Sequence, residues 1–224
     1  MQYHFDDELA AYVDRSFDFV LPEVVDDTYR KSFDDELDGF YQRLFAGKEA
    51  EYAVGKIEDR MIDVDGAQIQ IRIYTPEGAA EKMPCMMMYH GGGYITGSIK
   101  GLDYFSRYVS RHAGRVVVSV AYRLAPQVHL SVALGDCYAA LNYVYSHPDT
   151  FGIDANKIAV CGDSAGGSAA TIIAMMAAKN GIPVEKQALV YPWVDMRSAD
   201  TPSRRRYGKG YSLDTAQLDK TALL

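Results

Sequence analysis

A doubly wound α/β architecture, with a mostly parallel sheet flanked by helices, is the fold class that this 224-residue chain predicts. Three observations predict it. Apolar runs without alternation, at 85–89, 116–120, 158–161 and 188–191, suit strands covered on both faces. Stretches of helical periodicity lie between them, at roughly 102–113, 131–146 and 165–180. Strand and helix therefore alternate, the order that builds a parallel sheet through crossover connections.

The elements follow in order. Leu9, Tyr12, Val13, Phe17 and Val20 recur at helical spacing, as do Phe33, Leu37, Phe40, Tyr41 and Leu44. These predict two amphipathic helices joined around Pro22, the second ending at Gly47. Their apolar stripes need a partner surface, and packing on the core and lying over a site as a lid are both open. From residue 57 the period changes to two. Ile57, Met61 and Val64 lead to a turn at Asp65-Gly66, and Ile69, Ile71 and Ile73 return as the second strand of a hairpin. No internal repeat or low-complexity tract interrupts the chain.

Composition narrows the functions. Residues 1–60 hold 16 acidic and 7 basic side chains, net −9, against −7 for the whole chain, so the acidity belongs to the N-terminal segment. Such a segment repels phosphate backbones, and the cluster Arg204-Arg205-Arg206 reads as a solvated face, so nucleic acid is not an expected partner. Three cysteines, Cys85, Cys137 and Cys161, are odd in number and sit in apolar contexts. They read as buried free thiols of a reducing compartment, which points to a cytoplasmic location. Residues 1–18 are broken by Asp6, Asp7, Glu8 and Asp14, so neither a signal peptide nor a membrane span is expected there.

Two motifs carry chemistry. Gly162-Asp163-Ser164-Ala165-Gly166-Gly167 follows a predicted strand and opens a predicted helix. Acyl transfer needs a nucleophile held ready, and a sharp strand-to-helix turn projects Ser164 while glycines two residues either side let strand and helix approach. The N–H of Ala165 then points toward the reacting oxygen, with the positive end of the helix dipole behind it. Gly-x-Ser-x-Gly alone is a weak signal; its placement strengthens it. The second motif, His90-Gly91-Gly92-Gly93, stands at the end of the strand 85–89, where bare backbone amides can approach a substrate closely. With Ala165 those amides complete an oxyanion hole, each donor contributing about 3 kcal/mol of barrier lowering in comparable sites. His90 reads as a support that holds the loop by hydrogen bonds rather than as the base. Asp163 reads as a structural hydrogen-bond acceptor, and Cys161 as core.

The paired motifs resemble those of the hormone-sensitive-lipase-like carboxylesterases, the bacterial group IV esterases of the α/β-hydrolase superfamily. Tyr122-Arg123-Leu124-Ala125-Pro126, Asp136-Cys137-Tyr138-Ala139-Ala140-Leu141 and Leu189-Val190-Tyr191-Pro192-Trp193-Val194-Asp195 agree with that family, over roughly residues 55–213. The resemblance implies oxyanion donors at Gly92, Gly93 and Ala165, with Gly91 and His90 supporting the loop and Tyr94 lining the acyl pocket. It implies a helical cap from residues 1–50, an α/β-hydrolase core over 51–195 and the start of a cap insertion at 196–224. It favours the lid reading of the N-terminal helices, and it implies no metal and no organic cofactor.

Three departures stand out. Ser168 replaces the usual asparagine. Gln127-Val128-His129-Leu130-Ser131-Val132 departs from Glu-x-x-x-Pro-x-Pro, which is expected to loosen that loop. The family's acid and base follow the nucleophile in the order Ser, Asp, His, yet all five histidines (His4, His90, His112, His129, His147) precede Ser164, and the carboxylates at Glu185, Asp195, Asp200, Asp214 and Asp219 do not replace the missing pair. The chain is therefore expected to be a truncated esterase, lacking the C-terminal strands and retaining little turnover, since triad deletions cost roughly four to six powers of ten. Its expected partners are a small acyl ester and, along the sheet edge at 188–194, a second copy or a complementing C-terminal fragment. Two other readings are a non-catalytic small-molecule receptor, against which the intact glycine loop and Ser164 count, and a peptidase or amidase with the same elbow.

Overall fold

The computed structural model describes residues 21–196, 200–211 and 213–222, so the first expected helix, over 9–20, lies outside the described residues. The second is α1 (Asp27–Phe45), which starts earlier than its apolar spacing suggested because Asp26 caps it, accepting from the Tyr29 amide at 2.9 Å. A short 3₁₀ turn (Glu49–Tyr52) precedes the sheet strands β1 (Lys56–Val64), β2 (Ala67–Thr75), β3 (Met83–Tyr89), β4 (Val116–Val120), β5 (Ile153–Asp163) and β6 (Lys186–Val190). Between and after them lie the helices α2 (Asp103–Ala113), α3 (Leu130–Ser146), α4 (Pro148–Phe151), α5 (Ala165–Lys179), α6 (Pro202–Tyr207) and α7 (Thr215–Ala222).

The sheet order is β1-β2-β4-β3-β5-β6, with β1, β2 and β4 joined antiparallel and β4, β3, β5 and β6 parallel. The hairpin turns at Asp65-Gly66, where Gly66 takes a φ of +71°. On β2 the alternation buries Ile69, Ile71 and Ile73, each contributing about 1.5–3 kcal/mol by leaving water. On β1 the inward residue is Ile62, opposite Ile69, while Met61 points out at 57 % exposure. Period two allows only one of two neighbours to face the core, and the pairing chooses Ile62.

The central strands are buried along their length, as continuous apolar runs require. Met88 packs with Tyr74, Leu102, Val117 and Cys161 on the side where Phe105 and Val109 of α2 approach. On the opposite face the Tyr89 hydroxyl reaches the Cys137 carbonyl of α3 at 3.4 Å. Helices thus cover both faces. β5 begins at Ile153, well before the apolar run at 158, because Met83 of β3 pairs with Ile153 across a bulge. β6 is not covered on both faces as its apolar composition suggests; it is the open sheet edge expected for the run at 188–194. Among the described residues it pairs only with β5, and Lys186–Leu189 are exposed.

The order β4-β3-β5 makes β3 the point where the winding reverses: the chain leaves β3 toward β4 on one side and later returns to β5 on the other. In open α/β sheets the crevice at the carboxyl ends of such strands is where ligands bind. Both chemical motifs fall there, one after β3 and one after β5.

The loop after β4 is not loose, although its sequence departs from the family pattern. Arg123 grips Asp136 of α3 through Nε at 2.8 Å and Nη2 at 2.7 Å, and the Arg123 amide donates to the same carboxylate at 3.0 Å. His129 caps α3, accepting from the Ser131 amide at 3.3 Å. Residues 26–194 form one compact unit, and the described residues outside them belong to a second. In that second unit Lys220 donates to the carbonyls of Leu21 and Pro22 at 3.1 and 2.9 Å. Arg204 pairs with Asp219 at 2.8 Å and Arg205 with Asp200 at 2.6 Å.

Candidate active site

Strand register brings the two motifs together. Tyr89, the last residue of β3, lies opposite Gly162 of β5, so the glycine loop and the serine turn leave the sheet side by side. The approach is too close for side chains. A Cβ on Gly166 would meet the carbonyl oxygens of Tyr89 and His90 at 2.0 and 2.5 Å, and one on Gly162 would meet the Gly166 carbonyl oxygen at 2.2 Å. The Gly91 amide closes the seam by donating to Asp163 Oδ1 at 2.8 Å.

Ser164 sits at the apex with φ +50° and ψ −118°, a conformation that costs a non-glycine residue about 1–3 kcal/mol. Neighbouring backbone over-determines it. Its amide donates to the Val190 carbonyl at 2.9 Å, and its carbonyl accepts from the Trp193 amide at 3.0 Å and the Ser168 amide at 3.2 Å. Ser168, where the family has asparagine, donates its hydroxyl to the Trp193 carbonyl and so ties the segment after β6 to the turn. Of the four non-glycine residues with positive φ among the described residues, three (Tyr94, Ser164 and Tyr191) lie in this corner.

The glycine loop folds on itself. Gly92 has φ +107° and Gly93 +65°, and the Gly92 carbonyl accepts from the amides of Ile95 at 3.0 Å and Thr96 at 2.9 Å. Among the described residues the amides of Gly92, Gly93 and Ala165 have no protein acceptor. Three backbone donors are thus left for something other than the fold, beside a half-exposed serine. Tyr94 is 3 % exposed, and burial pushes its phenol above the ordinary range, against the neighbouring Ser168 hydroxyl, which lowers it.

His90 is buried under the loop. Its Nδ1 is 2.7 Å from the Gly91 carbonyl, which can only accept, so Nδ1 carries the proton. The ring stacks on Tyr122 at 4.2 Å, and the Tyr122 hydroxyl donates to the His90 carbonyl at 2.6 Å. Burial lowers the imidazole to about 4, against which the Gly91 bond works only in part, so the ring is neutral at pH 7. Burial raises Asp163, and the Gly91 amide lowers it.

The other described histidines serve local structure: His112 lies 3.1 Å from the Glu51 carbonyl, His129 caps α3, and His147 lies 2.8 Å from the Tyr143 carbonyl. Burial pushes the thiols of Cys85 and Cys161 up to about 12 and about 11, values at which they are poor nucleophiles at neutral pH. No group of three or more His, Cys, Asp or Glu among the described residues could hold a metal ion. No helix there is long and apolar enough to cross a membrane. A cavity of about 240 Å³ between α1, the 3₁₀ turn and α2 is lined by residues such as Phe45, Tyr104 and Arg107, and none of the sequence-predicted site residues faces it.

Sequence reasoning did not find Tyr122 as the partner of His90, although the residue stood in a quoted motif. It also missed Arg30, whose side chain reaches the loops after β3 and β4. A single arginine in an acidic helix carries no signal of its own.

Comparison with known proteins identifies the family. Residues 86–223 match the alpha/beta hydrolase fold family. The chain is 35 % identical over 224 residues to an ethyl acetate hydrolase of Pseudomonas putida, covering 95 % of this chain and 68 % of that protein. It is 37 % identical over 161 residues to an arylesterase of Saccharolobus solfataricus, covering 72 % of this chain and 52 % of the relative, so it spans only about half to two thirds of such relatives. Among solved structures, a hyperthermophilic esterase from the archaeon Pyrobaculum calidifontis superposes with a TM-score of 0.84 at 33 % identity, covering 97 % of this chain and 68 % of that one. The chain belongs to the α/β-hydrolase fold family, in the hormone-sensitive-lipase-like branch that its motifs resemble.

Proposed function

We propose that the protein is a serine carboxylesterase that hydrolyses short-chain carboxylic esters through an acyl-Ser164 intermediate. One observation carries the reading: the glycine loop and the turn bearing a strained serine leave the sheet side by side, and the amides of Gly92, Gly93 and Ala165 have no acceptor among the described residues. In this reading Ser164 Oγ attacks the ester carbonyl, the three amides take the charge that develops on its oxygen, and the alcohol leaves with a proton. Water then attacks the acyl-serine and the acid departs. Tyr94 lines the acyl side, and His90 and Gly91 hold the loop. The esterase names of the relatives support the substrate class.

Both half-reactions need an acid and a base, and no histidine follows Ser164. Turnover in this reading draws both from a complementing C-terminal segment, for which the exposed edge of β6 is the surface on offer. In this reading α1, the described part of the expected N-terminal cap segment, belongs to the same compact unit as the sheet. The three buried thiols favour a cytoplasmic setting.

The test is to incubate the protein with a fluorophosphonate probe, p-nitrophenyl acetate, p-nitrophenyl butyrate and a p-nitroanilide. Slow labelling at Ser164, lost in Ser164→Ala, is expected, with ester turnover appearing when the segment bearing the acid and base is supplied. Preferential anilide cleavage would shift the reading to an amidase. No labelling and no turnover, with tight binding of a small ligand, would make the protein a receptor.

A further inference from the structure

We propose that Arg30, on the first turn of α1, is a positioning residue for the oxyanion loop, so that the N-terminal helix sets the geometry of the site through one guanidinium. The proposal rests on the esterase reading for its catalytic consequence and on the coordinates alone for its structural half.

The contacts form a closed circuit. Arg30 Nε donates to the Ile95 carbonyl at 2.9 Å, and Nη2 donates to the Ala125 carbonyl at 2.7 Å and to Gln127 Oε1. Nη1 faces Asp27 of the same helix at 3.3 Å. The side chain is 15 % exposed, so these bonds are made largely away from water. The gripped peptides are those that shape the glycine loop. Ile95 and Thr96 donate their amides to the Gly92 carbonyl at 3.0 and 2.9 Å, and Ala125 donates its amide to the Tyr94 carbonyl at 2.8 Å. Arg30 therefore holds the carbonyls of Ile95 and Ala125, residues whose own amides close the turn.

The loop needs such a hold. Gly92, Gly93 and Tyr94 have consecutive positive φ values of 107°, 65° and 63°, and a run of this kind persists only where surrounding contacts over-determine it. Arginine suits the task because its planar fork presents donors in fixed directions to two acceptors on different loops, whereas a lysine ammonium on a flexible stem can satisfy one well. Gln127 stands where the family motif has glutamate, so the fork meets a neutral acceptor here. The rest of α1 anchors alongside. Lys100 pairs with Asp35 and Asp38, each at 3.1 Å, and the Tyr41 and Phe45 rings lie 6.3 and 5.4 Å from Tyr104.

The experiment compares the parent chain with Arg30→Ala, Arg30→Lys and the milder Gln127→Ala by amide hydrogen exchange and by the rate of Ser164 phosphonylation. Arg30→Ala is expected to raise exchange at the Ile95, Thr96 and Ala125 amides about tenfold or more while the β3, β4 and β5 amides keep their protection. It is also expected to slow phosphonylation about tenfold through misplaced donors, with Arg30→Lys intermediate. If Arg30→Ala does not fold, Gln127→Ala must show the same local pattern to a smaller degree. Unchanged exchange in the loop, or an equal rise across the strands, overturns the proposal and leaves Arg30 as a helix anchor only. A parent chain that the probe never labels at Ser164 instead overturns the esterase reading, and the exchange arm still decides whether Arg30 holds the loop.

Discussion

The corner at the end of β5 and the edge formed by β6 read alike in sequence and differ in the folded chain. Ile158-Ala159-Val160-Cys161 and Ala188-Leu189-Val190-Tyr191 are both short apolar runs, yet the first is buried while Leu189 and Tyr191 of the second are 38 % and 71 % exposed. Apolar composition states what a strand would bury if neighbours were present; the neighbours come from topology. β5 lies between β3 and β6 and under α5, whereas β6 has one strand partner among the described residues. The well-packed corner holds Ser164 at φ +50° through backbone contacts on several sides, including the Val190 carbonyl at the end of β6.

The contrast is open to measurement. The largest effect is expected at Gly166, where a Cβ would meet two backbone oxygens at 2.0 and 2.5 Å. Gly166→Ala should cost about 3 kcal/mol or more, because backbone cannot step aside as a side chain can. Gly135 of α3 has nothing within 4 Å of its Cβ position, and Gly135→Ala should instead stabilise by up to about 1 kcal/mol. Urea midpoints of the two variants give the comparison. Equal effects would mean that the corner is not tightly packed.

A comparable effect comes from pH. His90 is lowered from 6.5 to about 4 by burial, so the unfolded chain takes up a proton that the folded chain refuses. The contribution is complete above pH 6.5 and is lost as pH falls toward 4, about 3 kcal/mol in all. Asp163, raised by burial, acts with the opposite sign at the acidic end, which makes the difference between variants the cleaner quantity. His90→Gln should flatten the urea-midpoint slope between pH 6.5 and 4 by that amount, and an unchanged slope would mean that the ring charges freely in the folded state.

Relieving the strain at φ +50° should have a smaller effect of opposite direction: Ser164→Gly is expected to stabilise the chain by about 1 kcal/mol while abolishing labelling, whereas Ser164→Ala abolishes labelling without that gain. Calorimetry on both variants decides it. At the edge, Leu189→Lys should change stability by less than about 0.5 kcal/mol and reduce concentration-dependent association measured by sedimentation.

How much of this was legible in the sequence follows from the range over which each feature is determined. The parallel sheet, the hairpin turn and the serine elbow are written within a few residues: apolar runs, Asp65-Gly66, and glycines spaced around Ser164. The start of β5 at Ile153 was not, because a bulge opposite Met83 sets it. Which residues of β1 face inward was not legible either, because the partner strand decides the register that buries Ile62 and exposes Met61. The stacking of His90 on Tyr122 and the reach of Arg30 to Ile95 and Ala125 depend on contacts between distant segments. The departure at Gln127 suggested a loose loop for the same reason: its neighbours Arg123, Asp136 and Arg30 hold it, and only one of them is close in sequence.

The central claim is that an attacked carbonyl at Ser164 is gripped by backbone on both sides. It is tested most directly by a crystal structure of the phosphonylated protein. The account predicts phosphorus bonded to Ser164 Oγ and its oxygen about 2.7–3.1 Å from the amides of Gly92 or Gly93 and of Ala165. An adduct at another residue, or one whose oxygen points away from those amides, would contradict it.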